Sequence, residues 1–203
     1  MKITDIRPRR KGFSAVYIDG EFAMNLDTQT LLEQRIDIGR ELDEEDLHEL
    51  IKSSNERRAK EKALWLISYR AHSKKELRDK ISRTCDREAA EKAVERMEEL
   101  GLVNDRDYAS RCAQTLIFTK HMSKRGAAME LRRRGIDREL ADEVLENIEV
   151  DEREQIQAVI NRKYPNITDE KIRRRAVAAL QRLGYGWDDI KAVLEEFNEK
   201  EVL

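Results

Sequence analysis

The sequence predicts a mainly α-helical protein: tandem three-helix repeats forming an elongated curved rod, preceded by a small N-terminal module that contains a β-hairpin. Three observations carry this reading. From about residue 61 onward, apolar residues recur at i, i+3, i+4 and i+7, the period of a helix with one buried face, and strand signals are almost absent. Along that region a pattern of about fifty residues repeats. The first sixty residues differ in kind, with two β-rich runs set around an Asp-Gly pair.

Composition bounds the function classes. Charged residues make up 40% of the chain and aromatic residues 5%, yet the apolar periodicity runs almost to the end, so the protein reads as helical and highly solvated rather than disordered. The formal net charge is only −2, which excludes a globally basic nucleic-acid binder and leaves attraction to phosphates to locally segregated charge. No run approaches the roughly 18 apolar residues of a membrane helix, and the segment after Met1 is polar. A soluble, cytoplasmic monomer is expected, with no membrane association.

Taken in order, "SAVYIDGEFAMNL" (14–26) is a hairpin with its tight turn at Asp19-Gly20. Period-two alternation puts Val16 and Ile18 on one face, and Phe22, Met24 and Leu26 on one face of the returning strand. "KITDIR" (2–7) supplies a third strand. "LDEEDLHELIKSSNERRAKEKALWLI" then opens a helix, with Asp43 as N-cap and carboxylates in the first turn, where the helix dipole favours them. The predicted divisions are a β-containing module over 1–50, a lead-in helix and first repeat over 51–104, a second repeat over 105–150 and a third over 151–203.

The repeats are visible in register. Ser73-Lys74-Lys75 matches Ser123-Lys124-Arg125, Ile81 matches Leu131, and after a one-residue insertion Asp86-Arg87-Glu88 matches Asp137-Arg138-Glu139. Ala89, Ala93, Val94 and Met97 then fall on Leu140, Val144, Leu145 and Ile148, one helical stripe written twice. The third copy keeps the spacing of Leu131, Gly135, Val144 and Leu145 in Leu180, Gly184, Val193 and Leu194. Each unit reads as an apolar first helix (around 64–70, 108–120 and 156–164), a basic second helix, and a third helix that is acidic outside and aliphatic inside. Gly135 and Gly184 stand where a helix end needs a left-handed residue. Asp86, Asp137 and Asp188 are candidate N-caps of the third helices.

Chemistry is harder to find. Cys85 and Cys112 stand alone, with no CxxC or Cys/His grouping, and are expected as small buried apolar residues. His48, His72 and His121 are scattered. The chain has no phosphate-cradling Gly-rich loop, no HExxH and no GxSxG, and its carboxylates fall on solvated helix faces. The expectation is a protein that is not an enzyme and takes no cofactor. The aromatic residues Trp65, Tyr69, Tyr108, Phe118, Tyr164, Tyr185 and Trp187 are expected in the repeat cores.

Charge is segregated in the same way in each unit. Residues 70–87 hold seven basic and three acidic side chains, residues 120–138 seven and two, and residues 162–182 seven and two. Helix dipoles alone favour basic residues late in one helix and acidic residues early in the next, and Lys and Arg stems also cover apolar surface. One such patch would need no further explanation. Three in register point to binding of a regular polyanion or a helical protein assembly.

"ELGLVNDRDYASRCAQTL" (99–116), with "HSKKELRDKI" and "ELRRRGIDRELADEVL" at their spacing, resembles the RecX family of regulators of the RecA recombinase. The resemblance covers about residues 60–195 and leaves the first sixty outside it. The segment from Leu102 to Ala109 is its most specific part, and "RLGYGWDDIKAVL" keeps the pattern more loosely in the third repeat. It implies a non-enzymatic negative modulator that binds RecA filaments on DNA, damping filament extension, strand exchange, ATP hydrolysis and coprotease activity, and so regulating recombination, DNA repair and the SOS response. Single- or double-stranded DNA is an additional candidate partner. The binding residues to expect are the second-helix cations Lys74, Lys75, Arg78, Lys124, Arg125, Arg132, Arg133, Arg173 and Arg174. The alternatives are a direct DNA-binding helical-repeat protein and a helical scaffold for another protein partner.

Overall fold

A computed structural model describes the backbone of residues 1–200 and the side chains of residues 1–197. The chain forms two compact units, Met1–Val103 and a second that begins at Asn104.

The first unit opens with a three-stranded antiparallel sheet in the order β1 (Ile3–Pro8), β2 (Phe13–Ile18), β3 (Glu21–Asp27). Asp19 and Gly20 both take positive φ, 50° and 91°, the two-residue turn whose twist matches that of the flanking strands. One expectation fails here. Val16 pairs with Met24, but Tyr17 pairs with Phe22, so Ala23 is the extra residue of a bulge. The bulge moves Phe22 off the face of Met24 and Leu26 and onto the outer face beside Tyr17. The inner face packs Ile3, Val16 and Leu26 with Leu31 of α1 (Thr28–Glu33) and with Leu50.

Leu50 belongs to α2 (Glu44–Tyr69), one continuous 26-residue helix. Asp43 caps it in a reciprocal box with Asp46. The lead-in helix and the first helix of the first repeat are therefore the same element. Its early part closes the β-module, and Ala59, Ala63 and Leu66 enter the repeat core with Leu77 and Ile81 of α3 (Lys74–Ile81) and Ala90, Ala93 and Met97 of α4 (Arg87–Glu99). Three faces that cannot each be buried alone thus make one small core.

The second unit holds two more such triplets. In the first, α5 (Asp105–Gln114) widens at its end into a π-helical turn, Thr115–Thr119, and packs with α6 (Lys124–Arg133) and α7 (Arg138–Glu146) around Ala109, Leu116, Ile117, Leu131 and Val144. In the second, α8 (Glu152–Lys163), α9 (Glu170–Arg182) and α10 (Trp187–Lys200) enclose Ile156, Ile160, Leu180, Tyr185, Ile190 and Val193.

Asp86 and Asp137 cap α4 and α7 as expected, accepting from Ala89 N and Leu140 N at 2.8 Å. Asp188 does not act as a cap: α10 begins at Trp187, which places Asp188 inside its first turn. In the repeat register the position of Asp137 falls on Gly186, so the aspartate has slid two places into the helix, where its charge still meets the dipole. Gly135 and Gly184 take φ of 90° and 98° at the ends of α6 and α9, and the next residue folds back onto the helix in each case, Ile136 N to Leu131 O at 3.1 Å and Tyr185 N to Leu180 O at 3.2 Å. Cys85 and Cys112 are half-buried at the edges of their cores rather than inside them.

Candidate functional site

The second helices α3, α6 and α9 carry the predicted cations, and local chemistry explains why each forms there. Ser73 and Ser123 cap α3 and α6, accepting from Glu76 N at 3.1 Å and Gly126 N at 3.0 Å, and Asp169 caps α9 through Ile172 N at 2.9 Å. Each helix buries a narrow stripe: Leu77 and Ile81, then Ala127 and Leu131, then Ala176 and Leu180. The remaining positions face outward and hold the cations.

The structure divides those cations into two groups. On α3, the Lys74 ammonium pairs with Glu98 of α4 at 2.8 Å. Lys75 is exposed and Arg78 half-buried, and neither has a carboxylate within 4.0 Å among the described residues. On α9, Arg174 is bonded to Glu170 at 2.7 Å, while Arg173 has no such partner among the described residues.

The sharpest division is in "LRRRG". Arg134 is drawn inward, donating to Glu130 at 2.9 Å and to the Tyr108 hydroxyl at 3.2 Å. Arg133 donates to both oxygens of the same Glu130, at 2.8 and 3.0 Å. The Arg133 bond, aided by Arg134, holds the Glu130 carboxyl below its ordinary range. Arg132 takes neither role. With Lys124, Arg125 and Arg138 it lines an open groove of about 370 Å³ between α6 and α7, whose acidic residues are Asp142 and Glu146. Four cations face two carboxylates there, and among the described residues only Arg138 of the four is ion-paired, with Asp142 at 3.5 Å. Three of the nine predicted residues are thus brought into one groove. Arg138 was not among them, because it sits on a helix that sequence marks as acidic. The matching Arg87 is paired with Glu91 at 3.0 Å.

The groove is held rigidly from behind. Lys124 N donates to Glu152 of α8 at 2.7 Å, and Ser123 N donates to Leu183 O at 3.1 Å. Gln155 of α8 donates to Ile117 O at 3.1 Å, where the π turn widens. The Tyr185 hydroxyl lies 2.9 Å from His121 O and 3.0 Å from the Gln155 side-chain oxygen. Burial, with the Glu152 charge, raises the Tyr185 pKa, so the ring stays neutral and keeps its donor.

The aromatic expectation needs correction. Tyr108 and Tyr185 are buried, but Trp65, Tyr69, Phe118 and Trp187 are each about half or more exposed. Helical period assigned them to a core face, but in the first two triplets small residues such as Ala59, Ala63, Ala113 and Ala127 occupy much of the core, and Trp65, Tyr69 and Phe118 stay outside it.

In the first repeat, His72 lies buried at the corner between α2 and α3, with Nδ1 3.3 Å from Glu76. Burial and the nearby charge of Arg70, with Lys80 beyond it, hold its imidazole below the ordinary 6.5. The folded protein therefore keeps a neutral ring where the unfolded chain takes up a proton. This contribution is intact above 6.5 and is lost as pH falls below it. Glu76 adds to the trend at lower pH: burial raises its carboxyl, but the bond and charge of Arg70 together with His72 outweigh this and hold it below its ordinary value. Thermal denaturation between about pH 7.5 and 5 should show a falling midpoint, with a shallower fall in His72→Gln. Equal slopes in the two proteins would remove His72 as the cause.

Among the described residues no helix is long and apolar enough to cross a membrane, and no group of His, Cys, Asp and Glu could hold a metal ion.

Comparison with known proteins places the three triplets. Family profiles described as the first, second and third three-helix domains of RecX match residues 59–97, 104–145 and 151–194. A Regulatory protein RecX from Bacillus velezensis is 29% identical over 96% of this chain and 76% of its own length. One from Caldanaerobacter subterraneus is 32% identical over 76% and 79%, and one from Clostridioides difficile 26% over 96% and 94%. A crystal structure of regulatory protein RecX superposes with a TM-score of 0.62 at 22% identity, over 96% of this chain and 98% of that one. That of RecX from Lactobacillus salivarius gives 0.56 at 22% identity, over 72% and 98%. Three consecutive domain matches in order, together with relatives matched over three quarters or more of their own length, establish that the chain belongs to the RecX family of regulatory proteins.

Proposed function

We propose that this protein binds the RecA filament on DNA and modulates RecA negatively, and that it thereby regulates recombination, DNA repair and the SOS response. The mode is binding without catalysis. The observation that carries this reading is the set of second-helix cations without a carboxylate partner among the described residues: Lys75 and Arg78, then Lys124, Arg125 and Arg132, then Arg173. In a chain of net charge −2 with carboxylates available throughout, cations kept unpaired on the second helix of every repeat, with Lys75 matching Arg125 and Lys124 matching Arg173 in register, suit an external, repeating negative surface. The remaining predicted cations, Lys74, Arg133 and Arg174, are bonded to carboxylates and contribute less.

The direct test is RecA ATP hydrolysis on single-stranded DNA with and without this protein. Near-stoichiometric amounts should lower the rate. An unchanged rate over that range would remove the filament reading and leave a helical scaffold for another partner.

A further inference from the structure

The β-module presents a surface that the second-helix reading does not use. The bulge at Ala23 turns Phe22 outward, where it is 53% exposed and meets Tyr17 edge-on at 5.9 Å. Phe13, four residues before Tyr17 on β2 and so about 13 Å from it, continues the row. These rings and Asn25 line the floor of an open cavity of about 630 Å³ whose end is formed by Arg9 and Arg10. The stretch "RPRRK" (7–11), from the end of β1 into the connection to β2, carries four cations in five residues. Among the described residues Arg9, Arg10 and Lys11 have no carboxylate within 4.0 Å. Two guanidinium groups already sit over rings of this row, Arg7 over Tyr17 at 4.6 Å and Arg58 over Phe13 at 4.1 Å. Two carboxylates beside this row are ion-paired, Asp5 with Arg7 at 2.6 Å and Asp27, the register partner of Phe13, with Arg57 at 3.1 Å, which weakens their repulsion of an anion.

We infer that the outer face of this sheet is a binding site for single-stranded nucleic acid. Unpaired cations alone would suit any polyanion, and exposed rings alone any apolar partner. Together they select a flexible polyanion that carries flat rings of its own. The bases of a duplex are stacked on one another and cannot reach Phe22, whereas unstacked bases can lie on it and on the outer planes of the Arg7 and Arg58 guanidinium groups. Arg9, Arg10 and Lys11 then meet the backbone phosphates, and Asn25 offers a donor and an acceptor to a base edge. The site does not depend on filament binding.

The test is fluorescence anisotropy of a labelled oligothymidylate of about 15 nucleotides with the full chain and no recombinase present, so that its result leaves the filament reading untouched. Phe22→Ala removes an exposed ring and should weaken binding by roughly five- to a hundredfold. Arg9→Glu with Arg10→Glu should weaken it as well and flatten the log–log salt slope by about 1.4, two single-strand phosphate contacts. Oligomers carrying 5-bromodeoxyuridine should crosslink to the peptide holding Tyr17 and Phe22. Circular dichroism checks that each variant keeps its fold. The inference is overturned if the wild-type chain does not bind the oligomer, or if both variants bind as it does. It is equally overturned if a duplex or polyglutamate competes as well as the single strand, or if binding is lost in Arg125→Glu with Arg132→Glu but not in Phe22→Ala.

Discussion

Replacing Gly126 by alanine is expected to break the junction between the second and third repeats and lower stability by about 3 kcal/mol or more. Gly126 lies in the first turn of α6, facing the end of α9. A methyl group there would sit far inside contact distance of the Leu183 carbonyl oxygen, and 3.2 Å from Gly184 Cα. The restriction is mutual: a Cβ on Gly184 would lie 2.5 Å from Gly126 Cα and 2.6 Å from Gly126 N, and φ at Gly184 is 98°. Backbone meets backbone, so no rotamer change relieves the overlap, and the gain of up to about 1 kcal/mol in helix propensity from Gly to Ala is too small to compensate. Separation would also strand Leu183 O, Gln155 and the Tyr185 hydroxyl, whose bonds cross this junction. Thermal unfolding should fall by on the order of 10 °C or resolve into two transitions. An unchanged melting curve would mean that the two backbones do not need this approach.

Reversing two charges in the α6–α7 groove should have the largest effect on binding. Arg125→Glu with Arg132→Glu removes two cations that have no carboxylate partner among the described residues and adds two carboxylates beside Asp142 and Glu146. Affinity for RecA filaments on single-stranded DNA, measured at low salt, should drop by at least about a hundredfold, from two charge-assisted contacts at roughly 1.5 kcal/mol each. The salt dependence should become shallower. Helicity should not change, because neither side chain contributes to the core or to a cap. Binding equal to wild type would return the groove to an ordinary solvated helix face. Arg133 and Arg134 are poor choices for this experiment. Removing either disturbs Glu130, and removing Arg134 also leaves the Tyr108 hydroxyl without that donor, so lost binding would not separate from lost structure.

The fold was largely legible because its signals are local. Asp19-Gly20 sets the hairpin, Asp43 and the Ser and Asp caps start helices, and Gly135 and Gly184 stop them, each through bonds that reach no more than about six residues. Where a local signal had two readings, sequence misplaced it. Asp188 looked like a cap until the helix proved to start at Trp187. Phe22 looked like an inner-face residue because alternation assumes an unbroken strand, and a bulge shifts every face beyond it.

The candidate site was legible by type but not by member. Repetition of the basic second helix marked a cationic surface, and the resemblance carried by "GLVNDRDYA" named the family. Three adjacent arginines look equivalent in sequence. In the structure, one lines a groove, one shares a neighbouring carboxylate and one is pulled toward Tyr108.

What the sequence determined by itself was therefore the order and kind of elements, their repetition and the family, all written in periodicity, caps and short motifs. What only the tertiary structure decided was which charges remain available, which rings stay outside the cores, and why Gly126 and Gly184 must both be glycine. Those outcomes depend on partners that are distant in the chain: Glu98 for Lys74, Glu152 for the start of α6, Leu183 for Gly126. Pairing energy and steric exclusion act at a few ångströms in space, and no local pattern encodes which remote residue will arrive there.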